Sequence, residues 1–115
     1  MRFLLLLIGD EEAEGALPRE ELTAIVEAHA ALGQRLRDRG AFVLGHALAP
    51  SSAVKTVRRT RGDLISDGPF AETKEQAGGF YIVDAADMEE ALAYAREVPL
   101  SPGLAVEVRP IQTFE

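Results

Sequence analysis

The sequence lacks cysteine and has no long apolar run. Without cysteine, neither a disulfide framework, a thiolate metal site nor a thiol nucleophile can form, and the absence fits a reducing compartment. The apolar residues 3–8 are too few for the hydrophobic region of a signal peptide or for a membrane span, and acidic residues follow them at once. We therefore predict a first strand at residues 3–8 and a cytoplasmic protein without a membrane partner.

Positive charge is also scarce. The formal net charge is -7 and the sequence pI is about 4.8. This balance opposes a nucleic-acid partner, because contacts with phosphates need a basic surface. The one basic cluster, Arg58, Arg59 and Arg61, is interpreted as a solvated strand face, with a local anion site as the alternative.

Motifs for metal and phosphate binding are missing as well. The two histidines, His29 and His46, form no local pair with the spacing of a metal motif such as HExxH. His46 lies near the end of a predicted strand and is a weak ligand candidate. No glycine-rich motif that cradles phosphate is present, and Gly78-Gly79 alone is too weak a signal. We therefore predict neither a metal nor a cofactor.

What is present indicates one folded domain over residues 1–115, with 47% hydrophobic residues for its core. Apolar spacing and turn residues predict the order of its elements. The predicted strands are 3–8, 41–48, 53–60, 64–66, 79–84 and 105–111, and the predicted helices are 18–39 and one that begins at Asp87. The strands 53–60 and 64–66 form a hairpin that turns at Arg61-Gly62-Asp63.

The first predicted helix carries an apolar stripe at three-to-four spacing, and Gly40 is placed to end the helix. The stripe consists of Leu22, Ile25, Val26, His29, Leu32 and Leu36. A histidine in such a stripe is either a hydrogen-bonded core residue or, where it lines a cleft, a candidate acid–base catalyst.

The order β-α-β-hairpin-β-α-β predicts an α+β protein with the ferredoxin-like split βαβ arrangement. Both helices would cover one face of an antiparallel sheet, with the extra hairpin between the second strand and the long turn that follows it. Residues 3–8 are apolar on both faces, so the uncovered face needs a partner. We therefore predict a homodimer in which two sheets pack face to face as a dimeric α+β barrel with a central cavity.

The long turn DGPFAETKEQAGGF, residues 67–80, has two interpretations. It is either an ordered connection or a device that orients Asp67, Lys74 and Glu75 toward the cavity. A carboxylate beside an ammonium group would serve proton transfer or ligand binding. Thr73 and Gln76 have capping-box spacing, which predicts a single helical turn there.

The last strand and the strand 79–84 supply further candidates. Glu107 and Arg109 project from the same face of the last strand. If Val106 and Val108 face the helices, the charged pair faces the cavity, where it would bind a ligand or form a salt bridge. Tyr81 can point the same way, with an apolar ring and a hydroxyl at its tip. We name Glu75, Tyr81, Glu107 and Arg109 as candidate ligand-binding residues.

The segment DGPFAETKEQAGGFYIVDA resembles the signature of the DGPF domain proteins of the YCII-related family, and the resemblance extends over nearly the whole chain. It implies a ferredoxin-like fold, a dimeric α+β barrel and small bacterial proteins, some of them linked to alternative sigma factors. For the related YCII branch it also implies a histidine–aspartate pair as the active site, with the histidine on the first helix, and His29, eleven residues before Gly40, matches that histidine. Asp38 lies on the opposite side of that helix, so Asp67 or Glu107 would have to supply the carboxylate.

Three functional hypotheses follow. The leading one is a homodimer that binds a small polar or anionic molecule in the barrel cavity. The second is a cofactor-independent acid–base enzyme of isomerase, lyase or hydrolase type, with Asp67, Lys74 and His29 as the acid–base residues. The third is an interaction module accessory to a sigma factor, which would need an exposed apolar patch that the sequence does not reveal.

Overall fold

The computed structural model of the protein describes residues 1–60 and 62–114. The strands and helices follow one another in the predicted order, with one short helix in addition. The strands are β1 (Arg2–Asp10), β2 (Phe42–Ala47), β3 (Lys55–Thr60), β4 (Gly62–Asp67), β5 (Glu75–Asp84) and β6 (Ala105–Pro110). The helices are α1 (Glu11–Gly15), α2 (Arg19–Asp38) and α3 (Met88–Ala95), with a 3₁₀ turn at Ser51–Ala53.

The main sheet has the strand order β2-β5-β1-β6, and each neighbouring pair is antiparallel. β5 lies between β1 and β2, which is the split βαβ arrangement. α2 and α3 both contribute side chains to one core on one side of this sheet. The prediction of a ferredoxin-like α+β fold is therefore confirmed.

β1 is one of the two central strands, as its continuous apolar sequence predicts. Phe3 and Leu5 point to the helix side and are fully buried. Leu4 and Leu6 point to the other side, which we call the open face, and are half-buried in the protomer. The second face of β1 is therefore apolar but uncovered by this chain.

α2 packs through Leu32 and Leu36, which are fully buried. The helix ends after Asp38, and Gly40 follows with a φ of 70°. Val26 was predicted in the same apolar stripe, but that prediction is wrong because its side chain is 68% exposed. The apolar stripe is thus narrower than the spacing alone indicates.

The sequence reading missed α1, a single short helix directly after β1. Asp10 caps it by accepting a 3.0 Å hydrogen bond from the Ala13 N–H. The Glu11 carboxylate accepts hydrogen bonds from the Ser51 N–H, at 2.6 Å, and from the Ser51 hydroxyl. α1 therefore anchors the loop that leads into β3.

β3 and β4 form a separate two-stranded sheet, which we call the arm, and this confirms the predicted hairpin. Arg61, predicted in its turn and in the basic cluster, lies outside the described residues. Two ion pairs cross the arm: Lys55 to Asp67 and Arg59 to Asp63, each at 2.5 Å. Apolar side chains of the arm are exposed, and Ile65 is exposed by 64%.

The turn after the arm begins at Gly68, whose φ of 92° lies where residues with a Cβ are strained. The helical turn predicted from Thr73 and Gln76 is wrong. β5 instead starts at Glu75, which pairs with Asp10 across the sheet. The Gln76 amide donates to the Ala71 and Thr73 carbonyls, and the Glu75 N–H donates to the Thr73 hydroxyl. Pairing of β5 with β1 therefore determines the conformation at Glu75 and Gln76, and the local capping preference does not.

Within residues 1–60 and 62–114, no helix combines the length and the apolar composition that crossing a membrane requires.

Candidate functional site

The structure brings two of the candidate residues together, His29 and Tyr81. The His29 Nδ1 and the Tyr81 hydroxyl oxygen are 2.7 Å apart, which is a hydrogen bond, and the two rings are stacked with centroids 5.9 Å apart. His29 lies on the face of α2 toward the sheet. Tyr81 pairs with Leu5 and therefore points to the same side. The pair thus joins the helix layer to the sheet layer.

Contacts with β2 fix the position of the Tyr81 ring. A Cβ on Gly45 would lie 2.7 Å from the Tyr81 Cδ1, so only glycine lets the ring approach the strand this closely. The Phe42 ring packs edge-on against Tyr81 with centroids 6.5 Å apart. Tyr81 is only 8% exposed as a result.

The pKa values of His29 and Tyr81 are both shifted in the direction that favours the neutral side chain. Burial lowers the pKa of His29, and the nearby Glu14 carboxylate partly offsets that effect. Burial raises the pKa of Tyr81, and the Arg37 guanidinium acts in the opposite direction. At neutral pH the pair is therefore an uncharged imidazole bonded to an uncharged phenol.

The pH dependence of stability tests this state of His29. Because the pKa of His29 is lowered from 6.5 in the folded protein, the unfolded chain binds the proton more readily. The free energy of unfolding should thus be maintained above about pH 6.5 and decrease as the pH falls further. Urea unfolding of wild type and His29→Gln, each at pH 7.5 and at pH 5.5, measures this.

The free energy of unfolding should differ less between pH 7.5 and pH 5.5 in His29→Gln than in wild type. His46→Gln is the matched control, since His46 is exposed on β2. A difference that His29→Gln leaves unchanged would contradict the buried, neutral imidazole.

Two cavities adjoin at His29, and together we call them the cleft. The α1 cavity, about 300 Å³, lies between α1, α2 and the start of β5. The β2 cavity, about 320 Å³, lies between α2, β2 and β5. Leu7, His29 and Gly78 line both of them. Each cavity has the size of a small organic molecule, and each presents mostly apolar walls with a few polar groups.

The residues of the long turn lie apart from His29 within one protomer. Asp67 forms its ion pair with Lys55 in the arm, and its side chain is 88% exposed. Lys74 and Glu75 are also exposed, and neither lines the cleft. The proposed grouping of Asp67, Lys74 and His29 is therefore not assembled in the described part of a single chain.

Glu107 and Arg109 lie on the open face, as predicted, and form an ion pair of 3.0 Å with each other. Glu107 is in register with Leu6, whereas Val108 is in register with Leu5. Because Tyr81 shares the Leu5 side, it does not point the same way as the charged pair, and that prediction is wrong. The candidate residues therefore divide between two faces of the sheet.

Sequence reasoning missed Arg37, which lines the β2 cavity beside Tyr81. Its guanidinium lies 4.2 Å from the centre of the Phe42 ring, a cation–π contact. A signal was available, because His29, Gly33 and Arg37 recur at a spacing of four on α2 and therefore share a helix face. Glu14 of the α1 cavity had no comparable signal, since α1 itself was not predicted.

The fold and this site define a small α+β protein of ferredoxin-like topology with a histidine–tyrosine pair at the centre of a cleft. A family model described as the YCII-related domain matches residues 1–115, so the chain belongs to the YCII-related family. The chain is also similar to a protein of Rhizobium meliloti (strain 1021), named uncharacterized protein R00369. The two are 34% identical over 118 residues, which cover 100% of this chain and 95% of that relative.

Proposed function

We propose that the protein binds a small organic molecule with an anionic group in the cleft at His29 and Tyr81. The observation that carries this proposal is the position of the histidine–tyrosine pair, where two cavities adjoin and two neutral polar groups face apolar walls. Small-molecule sites have this composition, with few polar groups in an otherwise apolar concavity.

The charge of the β2 cavity supports an anionic group. Its lining includes the Arg37 guanidinium and, among the described residues, no carboxylate. Arg37 forms no ion pair within the described part of the chain, although two other arginines of α2, Arg35 and Arg39, both bind Glu97. A guanidinium that forms no ion pair with a protein carboxylate can bind a carboxylate or phosphate through two parallel hydrogen bonds.

A thermal-shift screen of small carboxylates and phosphates tests the proposal. Wild type should be stabilised by at least one compound, and Arg37→Ala should lose that shift because it removes the anion partner. Arg109→Ala is the matched control, since it removes an arginine from the open face. No stabilising compound, or a shift that depends on Arg109 and not on Arg37, would contradict binding in the cleft.

We also propose that two copies pack their open faces together as a dimeric barrel. The open face carries apolar side chains from three strands, namely Leu4, Leu6, Ile8, Leu44, Phe80 and Ile82. Packing two such faces would remove this surface from water and cover the Glu107–Arg109 pair.

Light scattering after size exclusion tests the dimer. Wild type should elute with twice the mass of one chain, whereas Leu6→Glu should elute as a monomer because the proposed interface cannot accommodate an unpaired charge. Leu100→Glu, at a residue that is 86% exposed, should remain dimeric. A wild-type monomer, or a Leu6→Glu dimer, would contradict the proposed interface.

Acid–base catalysis is a second candidate function, and the His29–Tyr81 hydrogen bond favours it. A neutral imidazole can accept a proton from a carbon next to a carbonyl, and the bonded phenol can stabilise the imidazolium that forms. Exchange of such protons for deuterium in a bound 2-oxo acid, followed by NMR, measures this activity. His29→Gln should abolish the exchange, and Tyr81→Phe should slow it. Equal exchange rates in wild type and both variants would contradict catalysis and leave ligand binding as the only supported function.

The arm supports the interaction module as a further candidate. Its apolar side chains Val57, Leu64 and Ile65 are exposed, and Phe70 just beyond it is also exposed. An isolated two-stranded hairpin is marginally stable, so a partner that covers these side chains would stabilise it. Cross-linking in a bacterial lysate should capture a second protein with wild type and lose it with Ile65→Asp. Capture of this chain alone would assign the arm to the homodimer.

A further inference from the structure

The two cavities of the cleft carry opposite charge. The β2 cavity contains Arg37 and, among the described residues, neither aspartate nor glutamate. The α1 cavity contains Glu11 and Glu14 and, within the same described part of the chain, neither lysine nor arginine. His29 belongs to both linings and therefore marks the boundary between a cationic end and an anionic end.

The cationic end has its charge held close to the cavity wall. The Arg37 side chain folds back along α2, so that its Nη1 lies 3.4 Å from the position that a Cβ on Gly33 would take. Gly33 lies one helical turn from both His29 and Arg37. The guanidinium thus lies over Gly33, on the part of α2 between Arg37 and His29.

The anionic end contains two carboxylates, of which one is hydrogen-bonded within the protein and the other is not. Glu11 is bonded through both of its oxygens to Ser51. The Glu14 side chain is half-buried and, within residues 1–60 and 62–114, makes no hydrogen bond or ion pair. Its charge nevertheless reaches His29, where it acts against the effect of burial on the pKa of the imidazole.

We propose that the ligand of the cleft is a zwitterion, with a carboxylate or phosphate at Arg37, a protonated amine at Glu14 and an apolar segment that passes His29. The inference rests on the proposed binding function and deepens it by assigning the substrate class. An amine in the α1 cavity would give the Glu14 carboxylate a partner, and the apolar walls formed by Leu7 and Ile25 fit a methylene chain.

The span between the two ends sets the length of the ligand. His29 and Arg37 are eight residues apart on α2, which corresponds to a rise of about 12 Å, and the guanidinium is folded back by about one turn of that distance. Because the ligand must also reach from His29 to Glu14, a series of linear ω-amino acids with four or more carbons measures the full span. Calorimetric titration of wild type with this series should give an optimum at one length.

Three matched probes test the charge assignment at that length. With six carbons they are 6-aminohexanoate, hexanoate and hexylamine, which carry both charges, the negative charge alone and the positive charge alone. Wild type should bind the zwitterion about 10 times more tightly than either singly charged probe, as expected for one added charge-assisted hydrogen bond. Hexanoate bound as tightly as 6-aminohexanoate would overturn the zwitterion inference while leaving the proposed binding function in place.

Two glutamate variants locate the amine. Glu14→Gln should remove the preference for 6-aminohexanoate over hexanoate. Glu12→Gln is the matched control and should keep the preference, because Glu12 is exposed on α1 and does not line the α1 cavity. A preference that survives Glu14→Gln would overturn the assignment of the amine. If wild type binds neither the ω-amino acid nor the unsubstituted carboxylic acid at any chain length, the proposed function itself is overturned.

Discussion

Gly45→Ala is expected to lower the free energy of unfolding by about 1–3 kcal/mol, the usual cost of overpacking a filled interior. The new Cβ would lie 2.7 Å from the Tyr81 Cδ1 and 3.2 Å from the Phe80 carbonyl oxygen. The ring cannot move away freely, because His29 holds its hydroxyl and Phe42 packs against its edge. Urea unfolding measures the loss.

The same variant should also lose ligand binding, since any movement of the Tyr81 ring changes the β2 cavity. Gly15→Ala is the matched control for stability, because a Cβ at Gly15 meets no atom within 4 Å. The control should unfold at or above the wild-type urea concentration, as alanine favours helix more than glycine does. Equal stability of Gly45→Ala and wild type would show that the ring is not held against β2.

Leu5→Ala should have a still larger effect and lower the free energy of unfolding by about 2–5 kcal/mol. Leu5 is fully buried at the centre of β1, in register with Tyr81 on one side and Val108 on the other. Truncation would leave a cavity next to the Tyr81 ring, which the surrounding strands cannot fill without breaking their pairing.

Leu100→Ala is the matched control for that truncation. Leu100 is exposed beyond α3, so the same chemical change should alter the free energy of unfolding by less than about 0.5 kcal/mol. A small loss in Leu5→Ala, comparable with this control, would contradict the central position of β1 in the core.

The sequence predicts the fold well because its strongest signals are local. The continuous apolar stretch of β1 places it centrally, and the hairpin and the order of elements lead to the split βαβ arrangement. The start of α3 is a further case, since Asp87, where the helix was predicted to begin, caps it by accepting a 2.9 Å hydrogen bond from the Glu90 N–H. Each of these signals is complete within a few residues.

Predictions failed where a contact between distant segments decides the outcome. Thr73 and Gln76 have helical capping spacing, yet Glu75 pairs with Asp10 and the segment is extended. The alternation of side chains along a strand correctly places Tyr81 and Phe80 on opposite faces of the sheet. Only the pairing of Tyr81 with Leu5, which is itself paired with Val108, shows that Tyr81 is on the face toward the helices. Local patterns carry no information about register, so the side of the sheet could not be assigned from them.

The candidate site was predicted less well than the fold for the same reason. His29 was identified, but its partner is a tyrosine 52 residues away rather than a carboxylate. Arg37 and Glu14 reach the cleft from two different helices, one of which the sequence reading missed. The charged residues of the long turn attracted attention because they are adjacent in sequence, whereas the structure places Asp67 against Lys55 in the arm.

The most direct measurement is a crystal structure of the protein with the tightest compound from the thermal-shift screen. We expect electron density for the compound in the cleft, with its anionic group on Arg37 and the rest of the molecule against His29 and Tyr81. Density on the open face beside Arg109, with an empty cleft, would contradict it.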